Sequence, residues 1–127
     1  MKKVFLLIFV AATLFACKKE RIVSKGYIGT FELRARYGGL AGINEKYDPG
    51  NGNIFQFNTD STFKSYTDRK LTNQGTFSIR KDSRTTNNRI YFSYDPQYGH
   101  DIALNKDTLT LGTAVTDNIA TVYVRIK

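Results

Sequence analysis

The chain has one cysteine, one histidine, two prolines and no tryptophan in 127 residues, and each shortage removes some chemistry. A lone cysteine forms no internal disulfide, so an exported domain must stand on its hydrophobic core. With His100 the single histidine, there is no basis for a His-rich metal site or a Cys/His nucleophile. Ser61-Thr62-Phe63-Lys64 has the Ser-x-x-Lys spacing, but residues i and i+3 meet on a helix. This segment reads as a turn running into a strand. Asp48–Asn53 resembles a calcium loop only superficially, because Gly50 and Gly52 stand where oxygen ligands are needed. No metal, cofactor or catalytic pair is expected, and the chain reads as non-enzymatic. Long hydrophobic runs are scarce too. The run from Val4 to Ala16, broken by Thr13, is shorter than the roughly 20 apolar residues of a spanning helix. No window carries the 3.6-residue apolar period of a long helix.

What is present begins with that run. Lys2 and Lys3 ahead of a short apolar core form the pattern of a secretory signal. Leu14-Phe15-Ala16-Cys17 then resembles the lipobox of bacterial lipoproteins. The resemblance implies that residues 1–16 are removed, that Cys17 is lipidated, and that residues 17–25 form a tether. Each buried methylene of an acyl chain stabilises membrane binding by about 0.8 kcal/mol, so two or more chains hold firmly. Lys18 follows the cysteine where an aspartate would resemble an inner-membrane retention signal. The expected location is therefore the outer membrane, at its periplasmic face or on the cell surface.

Lysine and arginine number 19 against 11 acidic residues. They are dispersed rather than clustered among aromatics, so nucleic acid is not an expected partner. Attraction to anionic lipid or polysaccharide, or simple solubility, accounts for the excess.

From residue 26 onward the chain is a succession of short β-rich segments: Tyr27–Tyr37, Asn53–Asn58, Thr62–Thr67, Gly75–Arg80, Arg89–Tyr94, Asp101–Leu104, Thr108–Leu111 and Ile119–Ile126. Turn-forming residues separate them, among them Asn73-Gln74 and Asp95-Pro96. About eight short strands at regular spacing predict one all-β domain over residues 26–127, an antiparallel up-and-down barrel or a sandwich. Period-two alternation places Phe31, Leu33 and Ala35, Phe55 and Phe57, Phe63 and Ser65, Phe77 and Ile79, Ile90 and Phe92, and Val122, Val124 and Ile126 inside. Glu32, Arg34 and Arg36 fall outside.

Gly29-Thr30-Phe31, "FQFNTDSTFKSY", "GTFSI" and "DIALNKDTLTL" together resemble the lipocalin-like domain of small Gram-negative bacterial lipoproteins. The resemblance implies an eight-stranded barrel. It also implies that Phe31 takes the place of the family's first-strand tryptophan, with Arg125 from the last strand packed on its face. A cation over phenylalanine is weaker than one over tryptophan.

In such a barrel, alternate connections meet at the same end. One rim would collect Tyr37, Tyr47, Arg69, Tyr94, Tyr98 and His100, a set suited to a small amphipathic ligand or a sugar. The other would carry Lys25, Arg80, Lys81, Arg84 and Arg89 and face the membrane. Eight strands enclose a space just wide enough to be filled by side chains or to hold one small ligand. Two readings follow: a lipid-anchored binding module, or a structural lipoprotein with a filled barrel that touches an envelope protein partner.

Overall fold

A computed structural model describes residues 25–115 and 117–127. The signal segment 1–16, Cys17 and the tether up to residue 24 lie outside the described residues, as does Thr116. A single 3-10 turn, Lys25–Tyr27, leads into nine strands. They are β1 (Gly29–Gly38), β2 (Ile43–Lys46), β3 (Ile54–Phe57), β4 (Thr62–Thr67), β5 (Lys70–Lys81), β6 (Asn88–Phe92), β7 (Asp95–Asn105), β8 (Thr108–Leu111) and β9 (Ile119–Arg125). All pairings are antiparallel, and β9 returns to pair with β1, closing an eight-stranded barrel. No helix among the described residues is long and apolar enough to cross a membrane.

The ninth strand explains the barrel's opening. Along one edge of β1, Gly29–Glu32 pair with β3 while Ala35–Gly38 pair with β2. These two short strands lie end to end where one full strand would complete the wall. Residues 47–53 loop out between them and are tied back by Tyr47 N–H to Arg34 O and Leu33 N–H to Asn53 O, each 2.9 Å. The sequence reading missed β2 because Ile-Asn-Glu-Lys carries neither a β-branched run nor a buried alternation.

Strand boundaries differ from expectation in two further places. Asn73-Gln74 lie inside β5 rather than in a turn, and the chain reverses at Asp68-Arg69. Both turn residues have positive φ, 49° and 69°, which is unfavourable for non-glycine residues. The 50–52 loop stabilises the turn, since Arg69 N–H donates to Gly52 O at 3.0 Å and Arg69 Nη2 to Gly50 O at 2.8 Å. Likewise Asp95-Pro96 open β7, and the two-residue turn is Ser93-Tyr94. The register between β6 and β7 jumps from Phe92↔Asp95 to Ile90↔His100, leaving Pro96–Gly99 as an outward bulge that accommodates the proline.

The lower half of the barrel is filled. Phe31, Phe57, Phe63, Ile79, Ile90 and Leu109 are fully buried there. Phe57 meets Phe77 at 4.9 Å and Phe63 meets Phe92 at 4.8 Å in edge-to-face arrangements, the geometry favoured by aromatic quadrupoles. Each large buried side chain contributes roughly 1.5–3 kcal/mol. The base is closed by Tyr27, buried with its hydroxyl accepting a hydrogen bond from Asn88, and by Arg125. That guanidinium lies 4.6 Å from the Phe31 ring centre, donates to Ile28 O and Gly26 O, and pairs with Asp107.

Arg125 has a consequence for parity. Phe31 pairs with Arg125 and Leu33 with Tyr123, so Thr121, Tyr123 and Arg125 form the inner face of β9. The expected inner set Val122, Val124 and Ile126 is corrected by one residue, and Ile126 is exposed. β1 changes too. A bulge between Leu33 and Ala35 shifts the register, so Arg36 opposes Thr121 on the inner side and Ala35 opposes Val122 on the outer. The expectation of Ala35 inside and Arg36 outside is thereby reversed.

Candidate functional site

Above the phenylalanine layer, the inward positions become small or polar. Ser65 succeeds Phe63 on β4, and Thr121 succeeds Tyr123 toward the upper end of β9. Space opens here as a cavity of about 450 Å³ lined by Leu33, Arg36, Tyr47, Asn53, Ile54, Phe55, Ser65, Tyr66, Thr67, Asp68, Thr72 and Tyr123. The volume falls within the range of small-molecule sites, roughly 300–1,000 Å³. A second cavity of about 200 Å³ is lined by Phe92, Tyr94, His100, Leu111, Ile119 and Thr121, and Phe55 lines both.

A linked polar group stands at the mouth of the first cavity. Arg36 Nη1 lies 3.3 Å from Glu45 Oε2, which also accepts the Tyr47 hydroxyl at 2.6 Å. Tyr47 chiefly, with Glu45, raises the Arg36 pKa against the opposing effect of burial, so the guanidinium is a fixed positive charge. Burial pushes the Tyr123 phenol up to about 12, outweighing the Arg36 cation, which acts to lower it. Tyr123 is therefore a neutral hydroxyl throughout the physiological range. It is braced edge-on by Phe55 at 5.8 Å.

The loop that positions Tyr47 is held by a buried acid. Glu32 projects outward from β1 yet is almost inaccessible, because residues 48–52 fold over it. Its carboxylate accepts Gly50 N–H at 2.8 Å and pairs with Arg34 at 2.6 Å, with a longer contact to Gly52 N–H at 3.4 Å. Desolvation acts to raise its pKa, but these donors together hold it below the ordinary carboxylate value. Glycine is required at residue 52, where φ is 77° and a Cβ would fall 2.6 Å from Arg69 Cγ. The glycines of "DPGNG" thus present N–H groups to a carboxylate.

The six sequence-predicted rim residues are not one cluster. Tyr47 lines the first cavity. Tyr94 and His100 line the second, with Tyr94 stacked on Phe92 at 5.2 Å. Tyr98 lies beside His100 at 5.5 Å and is largely exposed on the bulge. Tyr37 faces outward, opposite in parity to Arg36, and Arg69 is engaged with the 50–52 loop outside the barrel. Arg36, Glu45 and Tyr123 were missed. The parity of β9 was the available signal, since Arg125 cannot reach Phe31 unless Tyr123 is also inside.

At the opposite end, Lys81 and Arg84 are exposed, and exposed Arg80 lies over Tyr91 at 4.8 Å. Arg89 differs, because Asp82 at 3.5 Å and Asp101 at 3.9 Å answer its charge. Lys25 begins the 3-10 turn at this end. Comparison of the chain with family models, with curated proteins and with solved structures finds no match.

Proposed function

We propose that the chain is a lipid-anchored envelope lipoprotein with a lipocalin-like barrel, which binds a small amphipathic ligand or sugar at the barrel's open end. The observation that carries this reading is the contrast between the two halves of the interior. Below, fully buried phenylalanine packs the centre, and a groove of about 370 Å³ lies to one side by Tyr27, Asn88 and Leu104; above, Leu33 and Phe55 meet Arg36, Tyr47 and Tyr123 around about 450 Å³ of space. Ligand sites join apolar walls to convergent polar groups, and in this cavity the polar side chains are the majority of the lining. No side-chain pair in it has the character of an acid–base or nucleophilic couple, so the reading is of a binder rather than an enzyme.

The anchor is Cys17, in the outer membrane. A tether over residues 17–25 reaches at most about 3.3–3.6 Å per residue and joins the barrel beside Tyr27 at its base. That end carries exposed Arg80, Lys81, Arg84, Lys106 and Lys127, each worth about 1 kcal/mol near an anionic surface. The open end then faces away from the bilayer. The filled lower core also favours a second reading, a structural lipoprotein whose rim touches an envelope protein partner.

Purification from the membrane fraction of the native host tests the proposal in one preparation. Mass spectrometry should find an acylated Cys17 as the first residue, and under native conditions a stoichiometric small molecule. A Cys17→Ser chain should leave the membrane fraction. An unacylated N-terminus would remove the anchor, and protein without bound molecule would favour the structural reading.

A further inference from the structure

We infer that the ligand of the Arg36 cavity bears an uncharged, hydroxyl-rich head of the sugar class, with its apolar portion lying across Phe55 toward the second cavity. This rests on the proposal that the cavity binds a ligand, and it narrows the chemistry. The one cation of the cavity is already committed. Among the described residues, Arg36 is the one cation lining the first cavity, and it is engaged by Glu45 at 3.3 Å. Asp68 supplies the one carboxylate of the lining. A carboxylate or phosphate head would meet Asp68 in the lining and a guanidinium whose charge Glu45, outside the lining, already answers. A cationic head could pair with Asp68 but would share the cavity with the Arg36 guanidinium.

Neutral hydroxyls meet no such opposition. Asp68 accepts from them, and Arg36 donates to them. The Ser65 and Thr72 hydroxyls, 3.3 Å apart on facing strands, do both. Phe55, Tyr66 and Tyr123 add aromatic surface for the C–H faces of a sugar ring. Beyond Phe55, the second cavity offers Phe92, Leu111 and Ile119, an apolar run without a carboxylate.

Three amphiphiles with eight-carbon chains, the carboxyl carbon of octanoate included, separate the possibilities: octyl glucoside, octanoate and octylammonium. The full chain, isotope-labelled and held in zwitterionic nanodiscs, would be titrated with each below its micelle concentration, with empty nanodiscs as the baseline for partitioning. The readout is the NMR signals of Arg36 Nε–H and the Tyr123 ring. Octyl glucoside should shift both saturably, at an affinity at least about tenfold above either charged analogue. Hydrogen bonds involving charged groups are worth enough for such a ratio. Glu45→Gln should raise octanoate affinity about tenfold by releasing Arg36. If octanoate or octylammonium matches or exceeds octyl glucoside at these signals, the inference about the head is wrong and the ligand reading survives. If none of the three moves them, both are overturned.

Discussion

Phe63→Ala should destabilise the protein by about 3–5 kcal/mol, the range for deleting a buried phenylalanine. Phe63 is 1% exposed and is surrounded by other rings, with Phe92 at 4.8 Å and Phe55 at 6.0 Å. It stands where the filled lower barrel passes into the open upper part, next but one to Ser65 on the same strand. Neighbouring rings braced on rigid strands cannot collapse into the vacated space, so the cavity term adds to the lost transfer energy. Phe63→Leu keeps most of the volume and should lose less than half as much. Urea unfolding with an unchanged m-value measures both. A loss below about 1 kcal/mol for Phe63→Ala would mean that the lower barrel is hollow as well, and the contrast that locates the ligand site would disappear.

Glu32→Gln should lose about 2–3 kcal/mol near neutral pH, as expected for hydrogen bonds to a buried charge. The substitution keeps the shape and can leave an oxygen where Gly50 N–H and Arg34 donate, but it turns an amide donor toward Gly52 N–H and removes the negative charge that pairs with Arg34. The pH dependence follows from the lowered pKa of the wild-type carboxyl. A carboxyl more acidic in the folded than in the unfolded state contributes fully above its unfolded pKa, about 4.3. The contribution is lost as pH falls through the lower folded value. The difference between wild type and Glu32→Gln should thus be widest at neutral pH and shrink below about pH 4. A difference independent of pH would mean that the effect is one of packing alone. Release of residues 47–53 should also weaken ligand binding, because Tyr47 begins that loop and Asn53 ends it.

The closed antiparallel barrel was legible in the sequence because most strands alternate cleanly between apolar and polar residues. Phe55 and Phe57, Phe77 and Ile79, and Ile90 and Phe92 admit no other parity. The last strand was ambiguous, since both Val122-Val124-Ile126 and Thr121-Tyr123-Arg125 can be read as an inner face. The bulge after Leu33 was invisible for a different reason. Phe31-Glu32-Leu33-Arg34-Ala35-Arg36 is an unbroken alternation, and only the pairing with β9 introduces the extra residue. These two gaps hid the cavity's main polar groups, Arg36 and Tyr123. Glu45 was hidden with β2, a strand too short to give a period.

The central claim is that the open upper cavity, rather than the loops around it, holds a ligand. Ser65 lines that cavity opposite Phe55, whereas its neighbour Lys64 is exposed on the outer face. Wild type, Ser65→Trp and Lys64→Trp should be purified from the native host and the small molecules they carry measured per mole of protein, with far-UV circular dichroism as the check on folding. The account predicts that wild type and Lys64→Trp carry the same molecule and that folded Ser65→Trp carries none. Equal occupancy in folded Ser65→Trp, or an empty wild-type barrel, would contradict it.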